Sequence, residues 1–270
     1  RDVSKIFKVI EKNNTIIHLG ELVGDPICEI NPSKTFEINY LASMQITNFC
    51  KNLQVDKFIY ISSCSVYGAN SKNELLNEQS KINPLSVYSR LKTMCERTII
   101  ENANENLQPT ILRLGTVFGS SYRLRFDLVL NLFCALSHVG KKINVQGGSQ
   151  WRPFVHVRDV CQAIVKVILL PKNKTQGEIF NITGFNTTIE NVANKIKTLN
   201  KKTNICFDSK IQDKRNYKVS STKAKRILGF RPKYTLEKGI LEMFIFLKNN
   251  NIKNINLKKY NNYLNIKKIN

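Results

Sequence analysis

Tyr88 and Lys92 are the two side chains whose types and spacing most directly suggest chemistry in this sequence. Four positions apart on a helix, they would project from the same face. A neighbouring ammonium ion lowers the pKa of a phenol, so Tyr88 could exchange a proton with a ligand hydroxyl. Taken alone, the same spacing also fits a surface tyrosine beside a solvated lysine.

A second candidate group lies upstream, where the apolar residues 58–61 lead into a run of small hydroxyl side chains. A hydroxyl at a strand end can hydrogen-bond a reacting oxygen, and Ser63 would then share that oxygen with Tyr88. The alternative is turn formation and helix capping, for which serine is equally suited. The presence of Tyr88 and Lys92 downstream favours the chemical interpretation.

These residues would be positioned by short β-type runs that alternate with longer amphipathic runs. This alternation predicts an α/β fold of the Rossmann-like, doubly wound type, with a parallel sheet and helices on both faces. Helix starts are indicated by Asn31-Pro32, Asn83-Pro84 and Asp159. The predicted strands are 15–19, 57–62, 110–114, 142–145 and 178–182, and the predicted helices are 33–53, 86–104, 125–138, 159–169 and 188–199.

The alternation weakens beyond about residue 180, which indicates a smaller second lobe. We predict a main domain over residues 1–140, a smaller lobe over 141–248 from which some strands return to the main sheet, and a loosely ordered tail over 249–270. The polar stretch 68–84 is predicted to be an exposed loop at a strand end, where open α/β sheets bind ligands.

The net charge of the chain bears on which kinds of partner it could bind. The net charge of the 270 residues is +22, and residues 195–270 contribute +16, because 20 Lys and Arg face only four Asp and Glu there. Such a region could attract phosphate. It could equally reflect a general preference for Lys, Asn and Ile, and the few aromatic residues there argue against nucleic acid as a partner.

Neither a long apolar run nor a secretion signal is visible, so no membrane association is expected. The seven cysteines are widely spaced without Cys-x-x-Cys, and only three histidines accompany them. We therefore expect no metal site, reduced thiols and a cytoplasmic location.

Six segments in the same order resemble motifs of extended short-chain dehydrogenase/reductases, in the NAD-dependent epimerase/dehydratase family. Besides the serine-rich strand end and Tyr-x-x-x-Lys, they are His18-Leu19-Gly20-Glu21 (family His-Leu-Ala-Ala), Asn39-Tyr40-Leu41-Ala42-Ser43 (Asn-Val-x-Gly-Thr), residues 112–119 (Leu-Arg-x-x-x-Val-Tyr-Gly) and residues 152–159 (Arg-x-Phe-x-His-Val-x-Asp).

The resemblance implies a role for each matching residue. The implied catalytic group is Ser63, Tyr88 and Lys92. The implied NAD site comprises Leu19, Gly20, Glu21, Leu22, Val23, Asn39, Ser62 and Gly115. The implied substrate site comprises Cys64, Ser65, Thr116, Arg152, Arg215 and Tyr217, where Arg152 would bind a diphosphate through its guanidinium group.

One departure from the family concerns the cofactor. No Gly-x-x-Gly-x-x-Gly loop, which binds the pyrophosphate of the dinucleotide in the family, is found before Gly20. The resemblance implies that the first βαβ segment, roughly 60 residues, is missing. We expect open sheet edges and an uncovered apolar face as a result. The segment that discriminates NAD from NADP would also be missing.

The resemblance implies 4-epimerisation of a nucleoside-diphosphate sugar, with NAD taking and returning a hydride. Reduction of a 4-keto sugar remains an alternative. Elimination of water is disfavoured, because family dehydratases carry Asp-Glu where this chain has Cys64 and Ser65. A hypothesis of another class is a non-catalytic remnant that binds RNA or a partner. By analogy, a homodimer would pack helices 33–53 and 86–104.

Overall fold

The computed structural model describes residues 3–70, 74–208 and 213–262. Their strands are β1 (Thr15–His18), β2 (Lys57–Ser63), β3 (Leu75–Leu76), β4 (Thr110–Leu114), β5 (Thr116–Phe118), β6 (Ile143–Gln146), β7 (Trp151–His156), β8 (Ile179–Ile182), β9 (Phe185–Thr188), β10 (Ile205–Asp208) and β11 (Lys218–Val219). Their α-helices are α1 (Ser4–Phe7), α2 (Asp25–Cys28), α3 (Pro32–Phe36), α4 (Ala42–Asn52), α5 (Val87–Glu101), α6 (Val129–His138), α7 (Val157–Leu169), α8 (Ile189–Leu199), α9 (Thr222–Ile227) and α10 (Leu236–Asn249).

The main sheet is parallel and has the order β1-β2-β4-β8. Alternate residues of β2 point to opposite faces, as the pleat requires. Phe58 and Tyr60 pack with α4 and α5, while Ile59 and Ile61 pack with α7 and α9. Helices therefore cover both faces, and the predicted doubly wound α/β fold is confirmed.

The predicted helix 33–53 is one helical run with an irregular centre. It begins at Pro32, where the side chain of Asn31 accepts a hydrogen bond from the backbone N–H of Lys34. Between α3 and α4, Glu37–Leu41 forms a π-helical turn. Such turns occur frequently at functional sites, and this one contains Asn39.

Two residues or pairs predicted to mark helix starts do not cap a helix. The predicted helix 86–104 begins at Val87 as expected, but its cap is Ser86, which forms a capping box with Ser89, and not Asn83-Pro84. Asp159 does not cap α7. His156 takes that position through Nδ1, and the carboxylate of Asp159 instead accepts the backbone N–H groups of Lys233 and Tyr234 at 2.9 and 3.2 Å.

Two small sheets lie outside the main sheet, and the sequence pattern mostly did not reveal them. One is β10-β6, and the other is β5-β7-β9 with β9 antiparallel. Helices α6, α8 and α10 pack together in one hydrophobic cluster with residues of these sheets.

Two stretches predicted to be loose are partly ordered. Within 68–84, β3 pairs with β11, and Leu76 is buried; residues 71–73 lie outside the described part. Within the tail, Ile255 and Tyr260 are buried, and the Tyr260 ring lies 4.8 Å from that of Phe126. Widely spaced apolar residues fill the core there although the average composition is polar; residues 263–270 lie outside the described part.

Strand β1 forms one edge of the main sheet, and among the described residues it pairs only with β2. A cavity of about 990 Å³ lies beside it, lined by apolar side chains such as Ile16, Ile17 and Ile46 and by residues 19–23. Within the described residues, no helix is both long and apolar enough to cross a membrane.

Candidate active site

Helix α5 carries Tyr88 and Lys92, and both side chains are buried. The start of the helix is held by Ser86, whose hydroxyl donates to Oδ1 of Asp25 at 2.7 Å. This contact ties α5 to α2. The pair therefore lies on the inner face of a capped helix, which excludes the interpretation as a surface tyrosine beside a solvated lysine.

Ser63 is the last residue of β2, and its Oγ accepts the backbone N–H of Ser65 at 3.1 Å. The side chain of Ser63 lies near the hydroxyl of Tyr88 and acts to lower the pKa of Tyr88. The structure thus brings together the three residues that the resemblance implied to be catalytic, although they come from a strand end and from a helix 25 residues further along the chain.

The expected lowering of the Tyr88 pKa is wrong. Burial raises the pKa of Tyr88 far above its ordinary value, and the neighbouring Glu21 and Cys28 raise it further. Ser63 acts in the opposite direction but does not outweigh them. The sequence argument failed because it considered Lys92 without the burial of Tyr88, which is the largest cause, and without the carboxylate of Glu21.

That carboxylate belongs to Glu21, in the loop after β1. Its Oε2 lies 2.8 Å from Nζ of Lys92, and both side chains are at most 5% exposed. Lys92 also donates to the backbone carbonyl of Ile61 and lies 3.4 Å from the hydroxyl of Tyr60. The ammonium group is therefore already paired within the chain.

The loop at residues 19–23 lines the cavity beside β1. Asn39 holds this loop: its Oδ1 accepts the N–H of Leu22 at 2.8 Å, and its Nδ2 donates to the carbonyl of Leu22 at 2.9 Å. Asn39 was predicted to line a cofactor site. Its amide is engaged with the backbone, so Asn39 shapes the loop, whereas Leu19 is exposed to the cavity.

Ser62 and Gly115, also predicted at the cofactor, make internal contacts. The hydroxyl of Ser62 donates to the buried carboxylate of Glu96. A Cβ on Gly115 would lie 3.1 Å from the carbonyl oxygen of Pro153, so this glycine permits close packing of β4 against β7. Neither residue presents a side-chain group to the cavity.

Glu96 was not predicted, nor was its partner Arg113 on β4. Arg113 also donates to the hydroxyl of Tyr67 at 2.9 Å. Two signals in the sequence could have revealed the pair. Glu96 lies four positions after Lys92 on the same helix face, and Arg113 interrupts an apolar strand.

The predicted substrate residues that follow the strand ends differ in whether their side-chain groups are already engaged in hydrogen bonds within the chain. The thiol of Cys64 is buried and donates to the carbonyl of Arg113 at 3.3 Å, and burial raises its pKa. The hydroxyl of Ser65 is buried without a hydrogen-bond partner among the described residues. Thr116 is half-buried at the start of β5. Ser65 is thus better placed than Cys64 to receive a ligand.

Arg152, Arg215 and Tyr217 are brought together as predicted. Arg152 donates to the carbonyl of Arg215, and its guanidinium carbon lies 5.7 Å from the Tyr217 ring centroid. Asp213, which was not predicted, contacts both arginines at 2.7 Å. Burial acts to raise the pKa of Asp213, but Arg215 and Arg152 outweigh it and lower the pKa to about 2. Arg215 also contacts Asp25 at 2.5 Å.

The chain is similar to proteins of a known family. The family model described as the NAD dependent epimerase/dehydratase family matches residues 1–183. An uncharacterized protein of Methanocaldococcus jannaschii is 29% identical over 235 residues, which are 83% of this chain and 69% of that protein.

Two solved structures have the same fold. The UDP-glucose 4-epimerase of Thermotoga maritima, solved with UDP-glucose, is 25% identical with a TM-score of 0.81, and the match covers 92% of this chain and 81% of that chain. MoeE5, solved with UDP-glucuronic acid and NAD, is 23% identical with a TM-score of 0.81, over 91% of this chain and 82% of that chain.

Proposed function

The chain belongs to the NAD-dependent epimerase/dehydratase family, and from this membership we propose that it epimerises a nucleoside-diphosphate sugar at C4 through transient oxidation of the ring carbon. The observation that carries the proposal is that Lys92 lies on the same face of α5 as Tyr88, with Nζ 5.9 Å from the centre of the Tyr88 ring, while Ser63 lies near the phenol and acts to lower its pKa. In the proposal, a sugar hydroxyl bound here is surrounded by the phenol oxygen of Tyr88, the hydroxyl of Ser63 and the ammonium group of Lys92.

In this proposal, Ser63 hydrogen-bonds the sugar hydroxyl and orients it toward Tyr88. Tyr88 in its phenolate form accepts the hydroxyl proton as the carbon is oxidised, and it returns that proton to the same oxygen when the carbon is reduced again. Because burial raises the pKa of Tyr88, Tyr88 must first release its own proton to solvent. The bound nicotinamide cofactor supplies the chemistry of accepting the hydride from carbon and giving it back. No proton or electron is gained or lost over the cycle, which suits an isomerisation.

The residues near Lys92 fit the ribose end of such a cofactor. Oε2 of Glu21 is buried and accepts no hydrogen bond from a described residue, although it lies 2.8 Å from Nζ of Lys92. A carboxylate oxygen of this kind accepts a hydroxyl well, and a ribose offers two of them. We propose that Glu21 and Lys92 hold the nicotinamide ribose and that Leu19 packs against the cofactor.

Two neighbouring arginines, one buried and one partly exposed, support a diphosphate-bearing substrate. Arg152 and Arg215 lie side by side with Tyr217, and their described carboxylate partners are Asp213 and Asp25. Guanidinium groups bind phosphate oxygens through two parallel hydrogen bonds. We propose that the diphosphate of the nucleotide sugar binds here, and that Ser65 and Thr116 contact the sugar.

A second candidate is reduction of a 4-keto sugar by a reduced nicotinamide cofactor. It is favoured by the raised pKa of Tyr88, because a phenol that retains its proton is ready to act as an acid toward a ketone. Elimination of water has less support, since the thiol of Cys64 is buried and bonded to a carbonyl.

The test is to incubate the purified protein with NAD⁺ and either UDP-glucose or UDP-glucuronic acid, and to follow the C4 epimer by proton NMR. The expected result is conversion that falls by roughly 10²- to 10⁴-fold in Tyr88→Phe. The matched control is Tyr122→Phe, because Tyr122 is fully exposed. Conversion that is unchanged in Tyr88→Phe contradicts the proposal, and oxidation of NADH with a 4-keto sugar supports the second candidate.

We also propose that the protein is a homodimer. The helices expected to pair, α4 and α5, leave Met94 exposed on the side away from the sheet. Sedimentation equilibrium tests this, and a monomer at micromolar concentration contradicts it.

A further inference from the structure

Glu21 is a buried carboxylate at a place where the motif that residues 18–21 resemble has an alanine. Its side chain is 3% exposed. The hydroxyl of Tyr60 donates to its Oε1 at 2.7 Å, and Nζ of Lys92 lies 2.8 Å from its Oε2. A carboxylate buried to this degree requires a partner of opposite charge, because transfer of an unpaired ion out of water costs several kcal/mol. Lys92 is that partner.

The same contact changes what Lys92 does to Tyr88. The ammonium group lies 5.9 Å from the centre of the Tyr88 ring, and without a partner it would favour the phenolate form. With Glu21 beside it, the two opposite charges largely cancel at that distance. The net field on Tyr88 then depends on the other groups around it.

Those groups come from three further elements. Asp25 and the thiol of Cys28, both on α2, act to raise the pKa of Tyr88, as Glu21 does from the loop after β1. Ser63 at the end of β2 acts to lower it. Of these groups, Glu21 is the one in direct contact with Lys92.

We propose that Glu21 is a positioning residue: its carboxylate holds Lys92 against the sheet and compensates the ammonium charge, so that Lys92 no longer favours the phenolate of Tyr88. The inference rests on the proposed function, since it concerns the acid and base role of Tyr88. Glu21 sets how readily Tyr88 gives up its proton and thereby the pH range in which Tyr88 works.

The ionisation of Tyr88 can be measured without turnover. Tyrosine is replaced biosynthetically by 3-fluorotyrosine, and the ¹⁹F resonance of Tyr88 is identified by its absence in Tyr88→Phe. Its chemical shift is then followed against pH in the wild type and in Glu21→Gln and Glu21→Ala. The alanine variant restores the residue of the family motif and so guards against misfolding of the glutamine variant.

The expected result is that the midpoint for Tyr88 moves to lower pH by about one unit or more in both variants, a tenfold change in the ionisation constant. Glu29→Gln is the matched control, because Glu29 accepts the backbone N–H of Val87 at the start of α5 at 3.2 Å but does not contact Lys92. This control should leave the midpoint unchanged.

An unchanged Tyr88 midpoint in either folded Glu21 variant overturns the inference, whatever the activity. If the midpoint moves but no sugar nucleotide is converted by the wild type, the ion-pair role stands and the proposed function fails. If the wild type turns over, the pH-rate limb assigned to Tyr88 should move with the ¹⁹F midpoint in the variants.

Discussion

Arg113 and Glu96 form a buried ion pair in which Nη2 of Arg113 lies 2.6 Å from Oε2 of Glu96 and Nε lies 3.0 Å from both carboxylate oxygens. Each side chain is 5% exposed. The pair joins β4 to the helix that carries Tyr88 and Lys92. It thereby fixes how α5 is placed against the strand end at Ser63.

Glu96→Gln should lower the free energy of unfolding by about 3–5 kcal/mol, because it leaves the Arg113 guanidinium buried without its counter-charge. Urea denaturation measures this. The control is Glu101→Gln, which removes the exposed pair with Arg97 on the same helix and should leave the free energy of unfolding nearly unchanged, because solvent screens such pairs. Equal losses in the two variants would show that the buried pair does not hold the helix.

Arg152→Lys should weaken the binding of UDP about 10- to 100-fold in titration calorimetry. The lysine cannot form the two parallel bonds of a guanidinium group, and a charged hydrogen bond contributes about 1.5–3 kcal/mol. Arg158→Lys, a change at an arginine whose side chain is 66% exposed, is the control. Unaltered affinity in Arg152→Lys would place the diphosphate elsewhere.

Gly119→Ala should destabilise the protein. Gly119 has a φ of +110°, and a Cβ there would lie 2.2 Å from Nε2 of His156, which is itself bound to Glu242 at 2.7 Å. We expect a loss of at least about 1–3 kcal/mol from overpacking. Gly24→Ala has a comparable φ of +115°, but the nearest atoms to the added carbon lie at an ordinary contact distance of 3.7 Å. Thermal unfolding should therefore separate the clash from the backbone strain.

His18 should make stability depend on pH between about 4 and 6.5. Burial, aided by Lys92, lowers the pKa of His18 from 6.5 to about 4. The unfolded chain then binds more protons than the folded chain in that window, so stability rises with pH up to 6.5 and is lost as pH falls toward 4.

The free energy of unfolding that is lost between pH 6.5 and pH 4 through the titration of His18 amounts to roughly 3 kcal/mol. His18→Asn removes the titration while it retains an amide near Ser43, which lies 2.8 Å from Nε2 of His18. The wild type should lose about that much more free energy of unfolding than the variant between pH 7 and pH 4.5. Parallel urea curves for the two proteins at both values would refute the assignment.

The sequence by itself determined the fold class and the placement of Tyr88 and Lys92 on one helix face. Both rest on local periodicity: apolar runs separated by amphipathic ones define parallel strands and covering helices, and a four-residue spacing places two side chains on one helix face. The addition of Ser63 to this pair came from the family resemblance. Short strands such as β5 and β9 were missed because three or four residues carry too little periodicity, and they form only through pairing with β7.

Only the tertiary structure decided the electrostatics of the site. Glu21 is 71 residues before Lys92 in the sequence, and nothing in the local pattern indicates that it pairs with Lys92 or that it adds to the effect of burial in raising the pKa of Tyr88. Nothing in the local pattern indicates that Asp213 forms ion pairs with both Arg152 and Arg215. The pKa of a group depends on burial and on charges within a few ångströms, and those neighbours are brought together by the packing of distant elements rather than by the spacing of residues along the chain.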